Sequence, residues 1–428
     1  MDFFAYKDGS LWCEDVPVAD IADAVGTPAY VYSAATLLRH YRAIAEAFAE
    51  LEPTLCFSVK SLANLSVLKL LAEAGSGFDV VSGGELARAL AAGADPAKTV
   101  YAGVGKTDRE IREAIQAGVA LLNVESEAEF DNISRLAAAA GRQVRCALRV
   151  NPDVYDPRTH EKTATGRRES KFGVDVERAA AFFRAHGRGE HARLDAIHIH
   201  IGSPIYSAEP YVRAIRKMLE LIERLRGEGF EVRTLDLGGG FAADYEEGAS
   251  PLATDYARQI VPLLAGRGLE IILEPGRQIA CNAGLLLASV LYVKQGGAKS
   301  FLIVDAAMTD LLRPAMYGSE HFVWPAKLPD GAAPPPRRID HVAEGGQKVD
   351  VVGGVCESSD FLAKDRVLPV MRRGDLLAVF SAGAYGFVMS SQYNGRPRAP
   401  EVLVQGDQWR LVRPRETYED LFATERDD

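Results

Sequence analysis

Short apolar runs alternate with helical stretches from about residue 31 to residue 280. Eight runs, at 55–59, 78–81, 99–103, 121–124, 144–150, 194–201, 234–237 and 270–273, are rich in valine, isoleucine and leucine with little polar alternation. That is the pattern of strands buried on both faces. The segments between them have helix length and an apolar stripe. Residues 211–225 are the clearest, with Ile215, Leu219, Ile222 and Leu225 three and four positions apart. Residues 35–51 repeat the pattern through Leu37, Tyr41, Ile44 and Phe48, ahead of the first run. Eight strands alternating with helices over about 250 residues predict an α/β fold, a (β/α)8 TIM barrel. A doubly wound open sheet is the structural alternative, because periodicity does not show closure.

After residue 281 the texture changes. Apolar runs at 285–293, 300–304, 349–352, 376–380 and 401–404 are separated by glycine, proline and charged turns, with few helical periods between them. This predicts an antiparallel β-barrel or β-sandwich domain. The proline-rich stretch 330–338 reads as an exposed loop inside it. Residues 1–30 hold an apolar run at 3–6 and a short helical piece at 19–25, and are expected to pack with the later β domain. The expected plan is an N-terminal segment 1–30, a barrel 31–280 and a β domain 281–428, without internal repeats.

A chain of 428 residues has room for more than one core. Its 49 basic and 59 acidic residues leave a formal charge of -10, which argues against a nucleic-acid partner. It leaves room for a local positive pocket that takes a small anion. The start of the chain has no basic region followed by an apolar stretch, and the apolar stretch 271–293 is interrupted by Glu274, Pro275, Arg277 and Asn282. Neither a signal peptide nor a membrane span is expected. Five widely spaced cysteines without a C-x-x-C pair fit a reduced, cytoplasmic protein with mostly buried thiols, and no zinc site.

In such a barrel the active site lies at the C-terminal ends of the strands. Unusual polar residues fall there in strand after strand. The first run leads into Lys60. The second carries Asp79 ahead of Ser82-Gly83-Gly84-Glu85. The fifth ends at Arg149-Val150-Asn151, and the sixth holds His198 and His200, followed by Ile201-Gly202-Ser203. The seventh runs into Gly238-Gly239-Gly240, and the eighth into Glu274-Pro275-Gly276-Arg277. Singly, each has a bland reading: a solvated lysine, a tight glycine turn, a packed histidine. A zinc pair of His198 and His200 lacks a third ligand at suitable spacing. At one barrel mouth they read differently. A desolvated lysine can form a Schiff base with a carbonyl, and bare backbone N–H groups can hold a phosphate. A lysine, a phosphate loop and a buried acid suggest pyridoxal phosphate, the acid keeping the pyridine nitrogen protonated. A class I aldolase acting on a phosphorylated sugar has the same needs and stays open at this point.

Further segments decide between them. Ser58-Val59-Lys60, Phe78-Asp79-Val80-Val81-Ser82-Gly83-Gly84-Glu85, Tyr101-Ala102-Gly103-Val104-Gly105-Lys106, His198-Ile199-His200-Ile201-Gly202-Ser203, Leu235-Asp236-Leu237-Gly238-Gly239-Gly240 and Glu274-Pro275-Gly276-Arg277 come first. Val304-Asp305, Leu312-Arg313-Pro314-Ala315-Met316-Tyr317, Val355-Cys356-Glu357-Ser358-Ser359-Asp360 and Gly383-Ala384-Tyr385-Gly386 continue the series over almost the whole chain. With these the chain resembles the fold-type III decarboxylases that use pyridoxal phosphate, and within them the diaminopimelate decarboxylases. It departs from their usual pattern at Ser61-Leu62 after the lysine, at Gly353-Gly354 before the cysteine, and at Pro204 after Ser203. These positions concern loop shape.

The resemblance implies the following roles. Lys60 carries the cofactor, with Asp79 near its amine, Arg149 near the ring hydroxyl and His200 on the ring face. Ser203, Gly238, Gly239 and Gly240 hold the phosphate, and Tyr385 reaches the same end. Glu274, followed by Pro275 and Gly276, pairs with the pyridinium nitrogen. Arg277, Arg313 and Tyr317 bind the distal carboxylate of the substrate, Glu357 binds its distal ammonium, and Cys356 donates the proton. Cys356 and Glu357 come from the partner subunit of a head-to-tail homodimer with shared active sites. The expected reaction is decarboxylation of meso-diaminopimelate at its D-centre to L-lysine. Ornithine, arginine and carboxynorspermidine decarboxylases are the rivals within the family. Arg313 and Tyr317 favour a substrate with a second carboxylate, since an arginine facing the distal amine of ornithine would repel it. A racemase on the same barrel generally has an arginine where Glu274 stands. A non-catalytic cofactor-binding barrel would leave residues 281–428 without purpose.

Overall fold

All eight barrel runs form strands in the computed structural model, which describes residues 3–163, 165–166 and 170–425. They are Thr54–Ser58, Gly77–Val80, Thr99–Tyr101, Leu121–Val124, Val144–Asn151, Ala192–His198, Thr234–Asp236 and Glu270–Leu273. Each pairs in parallel with the next, and the eighth pairs with the first through Ile272 opposite Thr54 and Leu273 opposite Leu55. The sheet is therefore a closed barrel, and the open-sheet alternative falls. Cys56, Val100, Leu121, Ala147, Ala196 and Ile272, from six of the strands, form one buried cluster. Small side chains set against large ones fill a layer of a narrow barrel.

The helices follow from their apolar stripes and their caps. The stripe at 211–225 becomes helix Glu209–Gly227, with Ile215, Leu219, Ile222 and Leu225 buried. The stripe at 35–51 becomes helix Ala34–Ala47 and a short turn Ala49–Leu51. Ser82, Thr107 and Ser126 cap the helices after strands two, three and four, accepting from the N–H groups of Glu85, Glu110 and Glu129. Each such cap stabilises by about 1 kcal/mol and fixes where the loop at the barrel mouth ends.

The chain divides into two compact units. One holds His40–Ala242 and Ser250–Arg277; the other holds the chain up to Arg39, Ala243–Ala249, and the chain from Gln278 onward. In the second unit, strand Ala29–Ser33 lies between Gly284–Gly296, antiparallel, and Glu401–Gln405, parallel. The N-terminal segment thus shares a sheet with the late β region and runs past residue 30. Strand Lys299–Val304 also pairs in parallel, with Gln347–Val352; the remaining ladders of the unit are antiparallel. Strands Phe4–Lys7, Ser10–Cys13 and Val16–Pro17 make a separate small sheet. The excursion Ala243–Ala249 is tied into this unit by its backbone: the carbonyl of Asp244 accepts from Asn282 Nδ2 at 2.6 Å and Ser381 Oγ at 3.1 Å. Among the described residues no helix is long and apolar enough to cross a membrane.

Candidate active site

Lys60 leaves the first barrel strand in a short turn, Val59–Ser61, and its side chain is about one-third exposed (32%). Its Nζ donates to Asp79 Oδ2 at 2.6 Å. Ser58 Oγ donates to the same oxygen. Burial, and then the charge of Glu274, push the Asp79 pKa up, while Lys60 opposes both. A carboxyl with a raised pKa beside an amine is placed to take a proton from it.

Glu274 directly follows the eighth strand and is buried. Asn123 Nδ2 lies 3.5 Å from its Oε1 and His198 Nε2 lies 3.5 Å from its Oε2. Burial alone would raise the pKa of this carboxyl. His198 beside it, and then the Lys60 ammonium, outweigh burial and hold the group well below the ordinary carboxylate range, so Glu274 stays anionic. Asp236, on the seventh strand, goes the other way. Burial and the charge of Glu274 push it well up, and its Oδ1 accepts from the N–H of Gly238 at 2.9 Å. The ligand atoms of His198, Asp236 and Glu274 lie within 4.8 Å of one another. Spacing along the sequence showed no third partner for His198; the barrel supplies two, from the seventh and eighth strands. With burial and the Glu274 charge pushing Asp236 toward its protonated form, the group reads as an acid–histidine network around Glu274.

The glycine loop is built against this network. Gly238 and Gly240 have φ of 66° and 106°, which L side chains rarely adopt. Gly239 is there for space: a Cβ on it would lie 2.3 Å from the Glu274 carbonyl oxygen. The N–H of Glu274 donates to the carbonyl of Gly238 at 2.9 Å, locking loop and acid together. His200 lies against Gly238, accepts from the Gly202 N–H through Nδ1 at 3.3 Å, and contacts Thr165 Oγ1 at 3.0 Å. Burial, then Arg149 and Lys60, push its pKa well down, so the ring is neutral. Arg277 Nε donates to Ser203 Oγ at 3.0 Å, placing a cation and a hydroxyl side by side. Pro275 and Gly276 carry the backbone close to the first strand, where Ser58 N–H donates to the Pro275 carbonyl at 3.2 Å.

Arg149 forms a buried ion pair with Glu125 at 3.1 Å and stacks over Phe172. Glu125 and Asn123 escaped the sequence reading because they sit within an apolar run and at its end, and their partners lie on other strands. Lys106 is clearer. Its side chain is 1% exposed and its Nζ donates to Gly103 O, Asn123 O and Glu129 Oε1 at 2.8, 2.7 and 2.7 Å. It clamps the loop after the third strand to the end of the fourth. The residues at the other end of the barrel, including Thr54, Lys98, Arg145, Arg233 and Glu270, line a cavity of about 630 Å³. None of the residues named for the chemistry lines it.

The remaining named residues belong to the β unit. Arg313 begins helix Arg313–Tyr317 and is buried, while Tyr317 at its end is partly exposed. Cys356 and Glu357 share one exposed loop. Cys356 N–H donates to Asn394 Oδ1 at 2.8 Å, and Glu357 Oε1 accepts from Tyr393 at 2.6 Å. Asp360 holds that loop through the N–H groups of Met308 and Val355, both at 2.7 Å. Cys356 is exposed, whereas Cys13, Cys56, Cys146 and Cys281 are buried. Tyr385 has a left-handed backbone, φ 56°.

The profile of the pyridoxal-binding domain of pyridoxal-dependent decarboxylases matches residues 34–281. The diaminopimelate decarboxylase of Pseudomonas aeruginosa is 48% identical over 425 residues, 99% of this chain and 99% of that one. The chain belongs to the diaminopimelate decarboxylase family. Two solved diaminopimelate decarboxylases extend the likeness to structure. The enzyme of M. jannaschii, in co-complex with L-lysine, has a TM-score of 0.91 and 34% identity, covering 100% of this chain and 98% of that chain. The enzyme of Helicobacter pylori, complexed with L-lysine, has a TM-score of 0.88 and 37% identity, covering 95% and 99%. The aldolase reading falls with these matches.

Proposed function

We propose that this protein decarboxylates meso-diaminopimelate at its D-centre, giving carbon dioxide and L-lysine, with pyridoxal phosphate as cofactor. The observation that carries the chemistry is Glu274, a buried carboxylate held anionic at the barrel mouth. Such a group needs a cationic partner, and a protonated pyridine nitrogen is one. The other residues fit the same cofactor. Buried polar atoms at the site, Asp79 Oδ1, Arg149 Nε, Asp236 Oδ2 and His198 Nδ1, have no hydrogen-bond partner among the described residues. The glycine loop offers bare backbone where Cβ atoms would collide, and Ser203 with Arg277 offers a hydroxyl and a cation for a phosphate.

Lys60 would hold the cofactor through its aldehyde, and Asp79 takes the proton that the amine must lose. His200, neutral and backed by the glycines, would cover one ring face. Arg149 would face the ring hydroxyl, and Tyr385 would complete the phosphate end. When bound, pyridoxal phosphate supplies the sink for the electrons left behind as the carboxyl group departs. Asp236 keeps the Gly238 N–H fixed, so the phosphate loop and Glu274 hold one register. Arg277, Arg313 and Tyr317 orient the substrate by its distal carboxylate, and Glu357 takes the distal ammonium. Cys356 delivers the proton to the carbon that lost carbon dioxide. Its exposure, against four buried thiols, supports a donor supplied to the partner subunit's site in a homodimer.

The test is a competition assay with purified holoenzyme. Carbon dioxide and lysine should form in equal amounts from meso-diaminopimelate, and ornithine, arginine and carboxynorspermidine should be poor substrates. Borohydride should fix the cofactor to the Lys60 peptide. Preference for ornithine, or labelling of another lysine, refutes the reading.

A further inference from the structure

Arg313 is an unusual buried arginine. It is 6% exposed, yet among the described residues no carboxylate forms an ion pair with it. Its contacts are with uncharged groups. Nη1 lies 3.2 Å from His321 Nε2, Nη2 donates to Ser319 Oγ at 3.2 Å, and the guanidinium lies over the ring of Tyr245, 4.7 Å from its centroid. His321 is fully buried, and its Nδ1 lies 2.9 Å from the carbonyl oxygen of Phe380. Its ring and that of Tyr245 meet edge to face, with centroids 5.5 Å apart and planes at 86°.

These contacts fix the protonation of the imidazole. A carbonyl only accepts, so Nδ1 carries the hydrogen. A guanidinium only donates, so Nε2 presents its lone pair. His321 is therefore neutral and of one tautomer, with its ring oriented by the Phe380 carbonyl. We propose that His321 is a positioning residue for Arg313: together with Ser319 and the Tyr245 ring it aims the guanidinium without neutralising it, and so sets the preference for a substrate with a distal carboxylate. An aspartate or glutamate in the place of His321 would hold Arg313 as firmly but would satisfy its charge. Neutral partners leave that charge for an anion brought by the substrate. This inference rests on the reading of Arg313 as the carboxylate clamp.

A double-mutant cycle tests it, with D-lysine as the control substrate. D-lysine is meso-diaminopimelate without its distal carboxylate. Arg313→Ala tests the clamp itself: a KM for meso-diaminopimelate equal to wild type overturns the clamp reading. His321→Asn keeps a donor for Phe380 and removes the acceptor for Arg313. It should raise the KM for meso-diaminopimelate about tenfold, the scale of one charge-assisted hydrogen bond, with a smaller effect on kcat and on D-lysine turnover. In the Arg313→Ala background the same change should add nothing. His321→Gln, which restores an acceptor near the Nε2 position, should recover most of the affinity. The proposal is overturned if His321→Asn has wild-type KM, if its effect persists without Arg313, or if both substrates suffer equally. It is also overturned if His321 variants fail to fold or to bind cofactor while Arg313→Ala does both, because His321 would then serve the fold alone.

Discussion

The phosphate-loop reading has its sharpest consequence at Gly239. This residue needs no left-handed backbone, so replacing it with alanine tests space alone. The new Cβ would lie 2.3 Å from the Glu274 carbonyl oxygen, where real contacts are not found below 3.0 Å. The two backbones must part by about 0.7 Å. Neither is a flexible side-chain end, and they are also linked by the 2.9 Å bond from Glu274 N–H to the Gly238 carbonyl. The shift therefore moves the loop and the carboxylate together. Misplacing a binding group by about 1 Å costs on the order of a hundredfold, or about 2.7 kcal/mol. Gly239→Ala should weaken pyridoxal phosphate binding by that order in a titration of apoprotein followed by absorbance. Activity at saturating cofactor should fall as well, since Glu274 moves. Gly227→Ala, at a helix end with nothing within 4 Å of the added carbon, is the control and should bind the cofactor normally. If Gly239→Ala binds cofactor within about threefold of wild type, less than 1 kcal/mol, the loop does not seat the phosphate as argued.

Lys106→Met should strip Glu129 of its cation and leave the Gly103 and Asn123 carbonyls without their shared donor. Breaking a buried pair costs about 3–5 kcal/mol, visible in urea unfolding, and Lys106→Met with Glu129→Gln should recover part of it; equal loss in single and double variants contradicts this. Glu110 accepts from the N–H groups of Gly83 and Thr107, which hold its pKa down to about 2. A depressed acid stabilises above its unfolded pKa and loses that contribution as pH falls through the folded value. The fall in Tm between the ordinary glutamate range and pH 2 should therefore be shallower in Glu110→Gln, and identical slopes would remove the argument. Mixing two inactive variants, Lys60→Ala and Cys356→Ala, should restore activity to at most about half per dimer if the sites are shared across a two-fold. Mixed dimers that demonstrably form but stay inactive place Cys356 elsewhere.

The barrel was legible because its strands are apolar runs and its chemistry sits at their ends, where a lysine or a triple glycine breaks the pattern. What stayed hidden was pairing between distant segments. No strand was expected at 29–33, and nothing local says that Tyr32 lies opposite Gly284 and Leu403. Strand Phe361–Leu368 was missed because Lys364 and Asp365 stand exposed in its middle. Strand Gln408–Arg413 has one partner and little buried surface, so its sequence is that of a polar edge. At the site, Lys60, Asp79 and Glu274 stood out as polar groups in apolar surroundings. Asp236 lay inside a quoted motif without a role, because its partners, Gly238 and Glu274, become visible only when the seventh and eighth strands are neighbours. His321 gave no signal at all: a histidine eight residues after an arginine has no meaning until the chain folds back.

The direct measurement is the turnover of meso-diaminopimelate in deuterium oxide, with the lysine analysed by NMR and the carbon dioxide counted. Decarboxylation at the D-centre with one proton delivered to one face should give L-lysine carrying a single deuterium at C6, of one configuration, and none at C2, with one carbon dioxide per lysine. Deuterium at C2, a mixture of both configurations at C6, or exchange without carbon dioxide release would contradict the assignment of this chain as a decarboxylase acting at the D-centre.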